Sequence, residues 1–303
     1  MKLINQIRSK LLCVNKSHFY LSSIVDTMRH IKIVRNVLRR YKDRFSRSLN
    51  WKNPQLYSEK ITLFQLSQEA EDLSNLADKY EVRKYIEKQI GAEYLIPLLG
   101  VYDSIDKIQI KALPNSFVLK ATHGSGWNIF CKSKSKSKFD WSKEKKLLMR
   151  WMSLNYYSFY GERQYKNIKP RIICEKYIPA RNGLTDYKFH YFNGKLHFIR
   201  AMANRYTHLR KGTYDLNWNK FPLTYFSHVG GTPYKNADIP RPNNLKGMIQ
   251  IATKLSAPFP FVRVDLYENN NKIYFGELTF SPNAGLDVYS PDEYDKKYGS
   301  LMP

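Results

Sequence analysis

Carboxylates are scarce in this chain, and so are cysteines and long apolar runs. Its 303 residues hold 26 Asp and Glu against 50 Lys and Arg, a formal net charge of +24. So large an excess points to an anionic partner: a nucleotide, a nucleic acid, an acidic polysaccharide or an anionic membrane surface. No stretch approaches the roughly eighteen apolar residues of a membrane span. The segment Met1–Arg8 lacks the apolar region and small-residue cleavage site of a signal peptide. The three cysteines, Cys13, Cys131 and Cys174, are isolated and fit no zinc spacing. Together these absences predict a reduced, cytoplasmic protein. Cys174, between Ile173 and Glu175, reads as a small buried residue.

What is present argues for a folded enzyme-sized body. Hydrophobic residues make up 43% and aromatics 15%, which separates the chain from disordered sequences. Its length allows one large core or two to three subdomains. Residues 1–50 carry twelve Lys and Arg against two Asp. Within them Ile24, Met28, Ile31, Val34 and Leu38 recur at helical spacing, with Arg29, Lys32, Arg35, Arg39 and Arg40 on other faces. The spacing predicts a basic amphipathic helix, packed by one face on the body or resting on an anionic membrane or polyanionic glycan. From Asn50 the composition changes. Ser58 is expected to cap a helix, Asp78–Lys88 reads as helical and ended by Gly91, and Trp141–Leu154 and Leu245–Leu255 read as helices. Strands are expected at Tyr94–Tyr102 (interrupted by Pro97), Asn115–Lys120, Ile129–Cys131, Arg171–Ile178, Tyr187–Phe192, Leu196–Ala201, Phe261–Tyr267 and Lys272–Phe280. Lys132–Lys138 alternates lysine and serine as a connector, and Asn193-Gly194 is a hairpin turn.

Two of these strands carry the most chemistry. Alternation puts Arg263, Asp265 and Tyr267 on one face of the first, with Val262, Val264 and Leu266 on the other. On the second, Phe275, Glu277 and Thr279 are expected to share a face. An arginine and two carboxylates on one side of a hairpin suit a divalent cation and the phosphates it carries, because Mg²⁺ takes few protein carboxylates and keeps phosphate and water oxygens. An odd-length connection would bring Asp265 and Glu277 to the same face, whereas a two-residue Asn270-Asn271 turn would separate them. Alone, such a pair is most often solvated edge decoration. A phosphate-binding element elsewhere would change its meaning.

Phe117–Asn128 supplies a candidate. A strand ends in Lys120, and Thr122, His123, Gly124, Ser125 and Gly126 form a loop before the next strand. Glycines let backbone N–H groups approach phosphate oxygens, and the hydroxyls add donors. Lys120 would bring a point charge. This is not a P-loop, since no Gly-Lys-Ser/Thr precedes a helix. His123 reads as a hydrogen-bonded loop residue, with substrate orientation as the alternative. Arg171–Ile178 is an apolar strand breaking into a polar hinge, which could pair its backbone with an adenine edge. Lys188, after Asp186, could reach a terminal phosphate or be an exposed strand lysine.

In this order the stretches resemble the ATP-grasp superfamily, and more closely its TupA-like branch, named for teichuronopeptide synthesis. The resemblance is carried by Asn53-Pro54, Glu59-Lys60, Asp78–Arg83, Val118–Lys120, His123–Gly126, Tyr165–Pro170, Glu175–Ile178, Asp186–Lys188, Arg263–Tyr267 and Phe275–Phe280. It covers about Asn50 to Pro303. It implies an α+β ATP-grasp fold, two subdomains gripping ATP, and the basic helical extension before Asn50 lies outside its strong part. The corresponding divisions are 1–50, 51–114, 115–182 for the lid and 183–303 for the metal-bearing subdomain. It further implies Lys120 and Lys188 on phosphates, with the glycine loop, and Glu175 with Lys176, Tyr177 and Ile178 at adenine. Asp186 falls near ribose, Asp265 and Glu277 on Mg²⁺, and Arg263 on the acyl-phosphate. Many relatives carry Asn two residues after the glutamate. Here that position is Thr279, and Asn283 is the other candidate ligand.

The implied activity is ATP- and Mg²⁺-dependent carboxylate–amine ligation through an acyl-phosphate, joining an amino acid or amine to a uronic acid of a capsular or O-antigen precursor. The charge suits an acidic or lipid-linked glycan at the inner membrane face, and no nucleic acid is expected as partner. Alternatives are an ATP-grasp sugar kinase, a glycosyltransferase (no DxD motif supports it) and a non-enzymatic polyanion binder.

Overall fold

A computed structural model gives the fold, and it describes residues 17–135, 139–180, 183–205, 207–226 and 236–303. The expectations for Met1–Arg8, Cys13 and Lys136–Lys138, and the side chain of Ile24, lie outside what is described. The described part is α+β, with two large antiparallel sheets, a small two-stranded one and flanking helices.

The first sheet has the order β1-β4-β2-β3, from Leu98–Tyr102 (β1), Phe117–Ala121 (β2), Asn128–Cys131 (β3) and Ile172–Lys176 (β4). Pro97, which cannot donate to a ladder, stands just before β1, and a 3₁₀ turn at Ala92–Tyr94 replaces the earlier part of the expected strand. Alternation sends Phe117, Leu119, Ile129, Cys131, Ile172 and Cys174 into one core, where α6 (Trp141–Ser153) adds Leu148 and Trp151. Asp140 caps α6, its Oδ1 accepting from the N–H groups of Ser142 (2.9 Å) and Lys143 (3.3 Å). The opposite face of the sheet is left for Val118, Lys120 and Glu175, which are set by Val118–Glu175 pairing.

The second sheet runs β10-β9-β5-β6-β7. Its strands are Asp186–Phe192 (β5), Lys195–Ala203 (β6), Arg210–Tyr214 (β7), Phe261–Asn269 (β9) and Lys272–Thr279 (β10). Asn193 and Gly194 both adopt left-handed backbone, φ 48° and 71°, as a tight β5–β6 turn requires. Tyr187, Phe189 and Tyr191 of β5 and Val262, Val264 and Leu266 of β9 face a core covered by α8 (Leu245–Ser256) and α5 (Val82–Ile90). Full burial of each such side chain is worth about 1.5–3 kcal/mol. The other face carries Asp186, Lys188 and His190 beside Arg263 and Asp265, because β5 and β9 pair Lys188 with Asp265. A small sheet of β8 (Thr224–Phe226) and β11 (Val288–Ser290), and α9 (Glu293–Gly299), complete this half. Neither β7, β8, β11 nor α9 is expected from the sequence.

The N-terminal helix α1 spans Ser17–Phe45. It docks through Ile33 and Val37, both buried, against Leu66 and Tyr157 of α7 (Tyr157–Tyr160), and through buried Tyr41, whose hydroxyl lies 3.2 Å from Ser58 Oγ. The expected stripe is therefore not the docking face: Met28 is 65% and Leu38 39% exposed. Ser58 is not the cap of α2 (Tyr57–Phe64) either. Leu56 precedes the helix, Glu59 accepts its N–H at 3.1 Å, and Ser58 is held inside by Asp295 at 2.7 and 2.8 Å. The short helices α3 (Gln68–Asp72) and α4 (Ser74–Ala77) lead into α5.

Candidate active site

β9 and β10 are joined by Asn270 and Asn271, both left-handed (φ 51° and 60°), and Asn269 pairs with Lys272. This is the two-residue turn that should separate Asp265 from Glu277. At that end Leu266 pairs with Phe275; the same register continued would set Gly276 across from Asp265 and turn Glu277 to the core. A bulge at Gly276 intervenes, so Glu277 pairs with Asp265 and Thr279 with Arg263. One extra strand residue restores the shared face that an odd-length turn was expected to supply. The bulge also corrects Phe275, which joins the core instead of sharing a face with Glu277. A Cβ on Gly276 would lie 2.9 Å from the Asp265 backbone oxygen, so the crossing admits no side chain.

Arg263 runs along this row. Its Nε donates to Asp265 Oδ1 at 2.7 Å, and its Nη2 reaches Asp265 Oδ2 (2.8 Å), Glu277 Oε1 (2.9 Å) and Thr279 Oγ1 (2.9 Å). Thr279 donates to Glu277 Oε1 at 2.8 Å. Lys188 Nζ donates to Asp265 Oδ2. Burial works against both carboxylates and wins at Asp265, whose carboxyl is raised despite Arg263 and Lys188. At Glu277 burial is outweighed by Arg263, Lys188 and Lys79, which hold it at about 2.

After β10 the chain turns through Asn283 and Ala284, both left-handed (φ 49° and 53°). Non-glycine residues pay about 1–3 kcal/mol each for such backbone, and that strain concentrates at functional sites. Asn283 lines the same cavity, but its Nδ2 donates to Asp287 Oδ1 at 2.9 Å. Asp287 Oδ2 accepts from Arg200 Nη1 at 2.8 Å, both side chains being buried.

The first sheet supplies the facing wall. Glu175 bridges Lys120 Nζ at 2.6 Å and Arg83 Nη1 at 3.1 Å. Beyond β2, the Ala121 N–H closes the loop on Trp127 O at 3.0 Å, and Gly126 takes a left-handed φ of 75°. Ser125 and Gly126 line the cavity; Thr122, His123 and Gly124 do not. His123 is buried, its Nε2 bonded to Trp151 O at 2.9 Å, and burial lowers its pKa. It is a hydrogen-bonded loop residue outside the cavity lining, although the resemblance sets its loop at the cofactor. Among the hinge residues only Glu175 lines the cavity. The Lys176 N–H is taken by Pro97 O at 2.9 Å, and Tyr177 and Ile178 stand outside the lining. Asp186 does line it, paired with Arg205 at 2.8 Å.

The cavity, about 380 Å³, thus draws Lys120, Ser125, Gly126 and Glu175 from one sheet and Asp186, Lys188, Arg263, Asp265, Glu277 and Thr279 from the other. It also contains residues that sequence reasoning missed. Lys79 donates to Gly124 O, and burial with Lys120 nearby lowers its pKa to about 8. Lys79 and Arg83 lie four residues apart, a helical spacing that could have marked them. Glu162 is buried and raised to about 7, chiefly by burial; its Oε1 accepts from Ser281 Oγ at 2.7 Å. Arg200, Arg205, Lys211 and Asp287 also line the cavity and carry no local signal.

A family model described as TupA-like ATPgrasp matches residues 59–302. No curated protein matches the sequence significantly. Among solved structures, D-alanine–D-alanine ligase from Bacillus anthracis is 14% identical, with a TM-score of 0.41 over 75% of this chain and 63% of its own. The D-alanine–D-alanine ligase from Helicobacter pylori is 15% identical, TM-score 0.40, over 81% and 69%. L-amino acid ligase from Bacillus licheniformis is 12% identical, TM-score 0.43, over 74% and 46%. The chain therefore spans about half to two thirds of the length of these structures.

Proposed function

This chain belongs to the TupA-like ATP-grasp family, and we propose that it is a carboxylate–amine ligase acting on an acidic glycan precursor. Its cofactors are ATP and Mg²⁺, those of ATP-grasp enzymes. Among the described residues no group of three or more His, Cys, Asp or Glu forms a metal cage. An opposed carboxylate pair with a neighbouring hydroxyl instead fits Mg²⁺, which binds through one or two carboxylates plus phosphate oxygens. Asp265 and Glu277 would be the ligands. Thr279, whose hydroxyl lies 2.8 Å from Glu277 Oε1, would be the third, with Asn283 as the other candidate.

The observation that carries the reading is the opposed Asp265–Glu277 pair in one cavity with Lys120 and the glycine loop. Bound ATP would supply the phosphoryl group that activates a carboxylate, with ADP leaving, and an amine would then displace that phosphate to form the amide. Lys79, Lys120 and Lys188 would neutralise phosphate charge from both walls, and Arg263 would steady the developing oxyanion. The Ser125–Gly126 backbone would hold phosphate oxygens. Glu175 would face adenine while Asp186 lies toward ribose. Closure of the first sheet over the second would keep water from the activated acid. Lys211 lines the cavity beyond the three lysines, with Arg200 and Arg205 held there by Asp287 and Asp186, and the +24 charge favours an anionic acceptor such as a uronic acid on a polyanionic or lipid-linked carrier. The amine would come from an amino acid or a simple amine, and the setting would be the cytoplasm.

The test is incubation with ATP, Mg²⁺ and pooled amino acids and uronates, following ADP and product mass. ADP release should need both a carboxylate and an amine. Release with a sugar hydroxyl alone would mean a kinase and end the ligase reading. Asp265→Asn and Glu277→Gln should each cut turnover at least about a hundredfold with an unchanged circular dichroism spectrum.

A further inference from the structure

The outward side of α1 combines residues that a purely solvated helix has no use for. Arg29, Lys32, Arg35, Arg39 and Lys42 are all exposed, at spacings of three and four that gather them on one side. Met28 and Leu38 are exposed with them, at 65% and 39%, and no Asp or Glu occurs from Thr27 to Lys42. The helix has two apolar stripes. The body uses Ile33, Val37 and Tyr41; the stripe that includes Met28 and Leu38 is left over.

We propose that this side of α1 docks the protein on an anionic phospholipid bilayer, the helix lying in the headgroup plane. Cations alone would serve any polyanion. Protruding Met28 and Leu38 gain only where an apolar layer lies behind the charge, as at a lipid interface. No described helix is long and apolar enough to cross a membrane. The same helix touches the walls of the cavity. Arg40 donates to Phe159 O and lies 5.0 Å over the ring of Tyr160, which lines the cavity. Arg44 Nε donates to Leu286 O at 3.1 Å, next to Asp287. A bilayer under α1 would therefore hold the cavity at the membrane surface. That consequence rests on the ligase reading for its lipid-linked substrate; lipid binding itself does not.

The experiment is sedimentation of the full chain, without ATP, with vesicles of phosphatidylcholine or of phosphatidylcholine and phosphatidylglycerol in equal parts. Binding is expected only to the anionic vesicles at moderate salt. The triple variant Lys32→Glu/Arg35→Glu/Arg39→Glu should bind them about a hundredfold more weakly or worse, and Met28→Ser/Leu38→Ser about tenfold more weakly. If the charge-reversed chain misfolds by circular dichroism, the corresponding Gln variant gives the same reading. Equal binding to neutral vesicles, or unchanged binding by the triple variant, would overturn the proposal. So would an unchanged Met28→Ser/Leu38→Ser variant whose vesicle binding is competed away by heparin or duplex DNA, since that marks a general polyanion surface. ATP turnover with soluble substrates is scored separately. Loss of one result therefore leaves the other standing.

Discussion

Glu277 stands directly across from Asp265 because Gly276, one residue earlier, is squeezed out of the β10 ladder. The two-asparagine turn sets one parity and the bulge reverses it, so the carboxylate pair depends on a residue with no side chain. Gly276→Ala would push a methyl to 2.9 Å from the Asp265 backbone oxygen and from Tyr267 Cε2. Neither strand can yield without moving a carboxylate. The expected cost is about 1–3 kcal/mol of stability, read by denaturant unfolding. Turnover should fall by more than the stability loss explains, with the half-saturating Mg²⁺ concentration raised. A variant with wild-type Mg²⁺ dependence would show that the bulge does not position the pair.

Lys79 faces the phosphate wall with a pKa lowered to about 8, first by burial and then by Lys120. The unfolded side chain holds its proton to about 10.5. Between these values the unfolded chain binds more protons than the folded one, so stability without nucleotide should rise from pH 8 to 10.5. Lys79→Met should flatten that rise and weaken ATP binding about tenfold or more. Parallel unfolding curves at pH 8 and 10, with nucleotide titration at pH 7, check both. An unchanged ATP affinity would place Lys79 as a prop for Gly124 alone.

The strands were legible in the sequence where one face had to be core. Val262, Val264 and Leu266 alternate with Arg263 and Asp265 so regularly that the polar face of β9 needs no structure to find. The parity of β10 was not legible, because a glycine in a strand does not announce whether it bulges or stays in register. The phase of α1 failed for a related reason. Met28, Ile31 and Leu38 share helical spacing just as Ile33, Val37 and Tyr41 do, and the surface made by Leu66, Tyr157 and Ser58 selects between them. Lys79 and Arg83 were visible as a motif without a role. Arg200 and Asp287 are 87 residues apart, and no local pattern joins residues so distant.

Glu162 makes a second pH-dependent contribution, of opposite sign. Burial raises its carboxyl from an unfolded value of 4.5 to about 7. The folded state therefore binds more protons in that window. Stability should be full below pH 4.5, fall as pH rises to about 7, and stay lower above it. Glu162→Gln keeps an acceptor for Ser281 and carries no charge. It should unfold at higher denaturant than the parent above pH 7, by about 1–3 kcal/mol, with the difference gone at low pH. A constant difference at all pH values would mean that the gain is packing and not charge.

Asp287 holds both Arg200 and Asn283, so the two possible replacements should part company. Asp287→Ala leaves the buried Arg200 guanidinium without its carboxylate, and breaking a buried pair from one side costs about 3–5 kcal/mol. It also releases Asn283 from the amide contact beside its left-handed backbone. Asp287→Asn keeps an oxygen for one of the two contacts but gives up the charge, and should cost less, about 1–3 kcal/mol. Because Arg200 and Asn283 both line the cavity, both variants should also raise the KM for the acceptor while leaving ATP affinity near that of the parent. Unfolding midpoints and separate KM values for the two substrates distinguish these effects. An equal loss of ATP affinity would mean that this cluster supports the whole cavity and not its acceptor end.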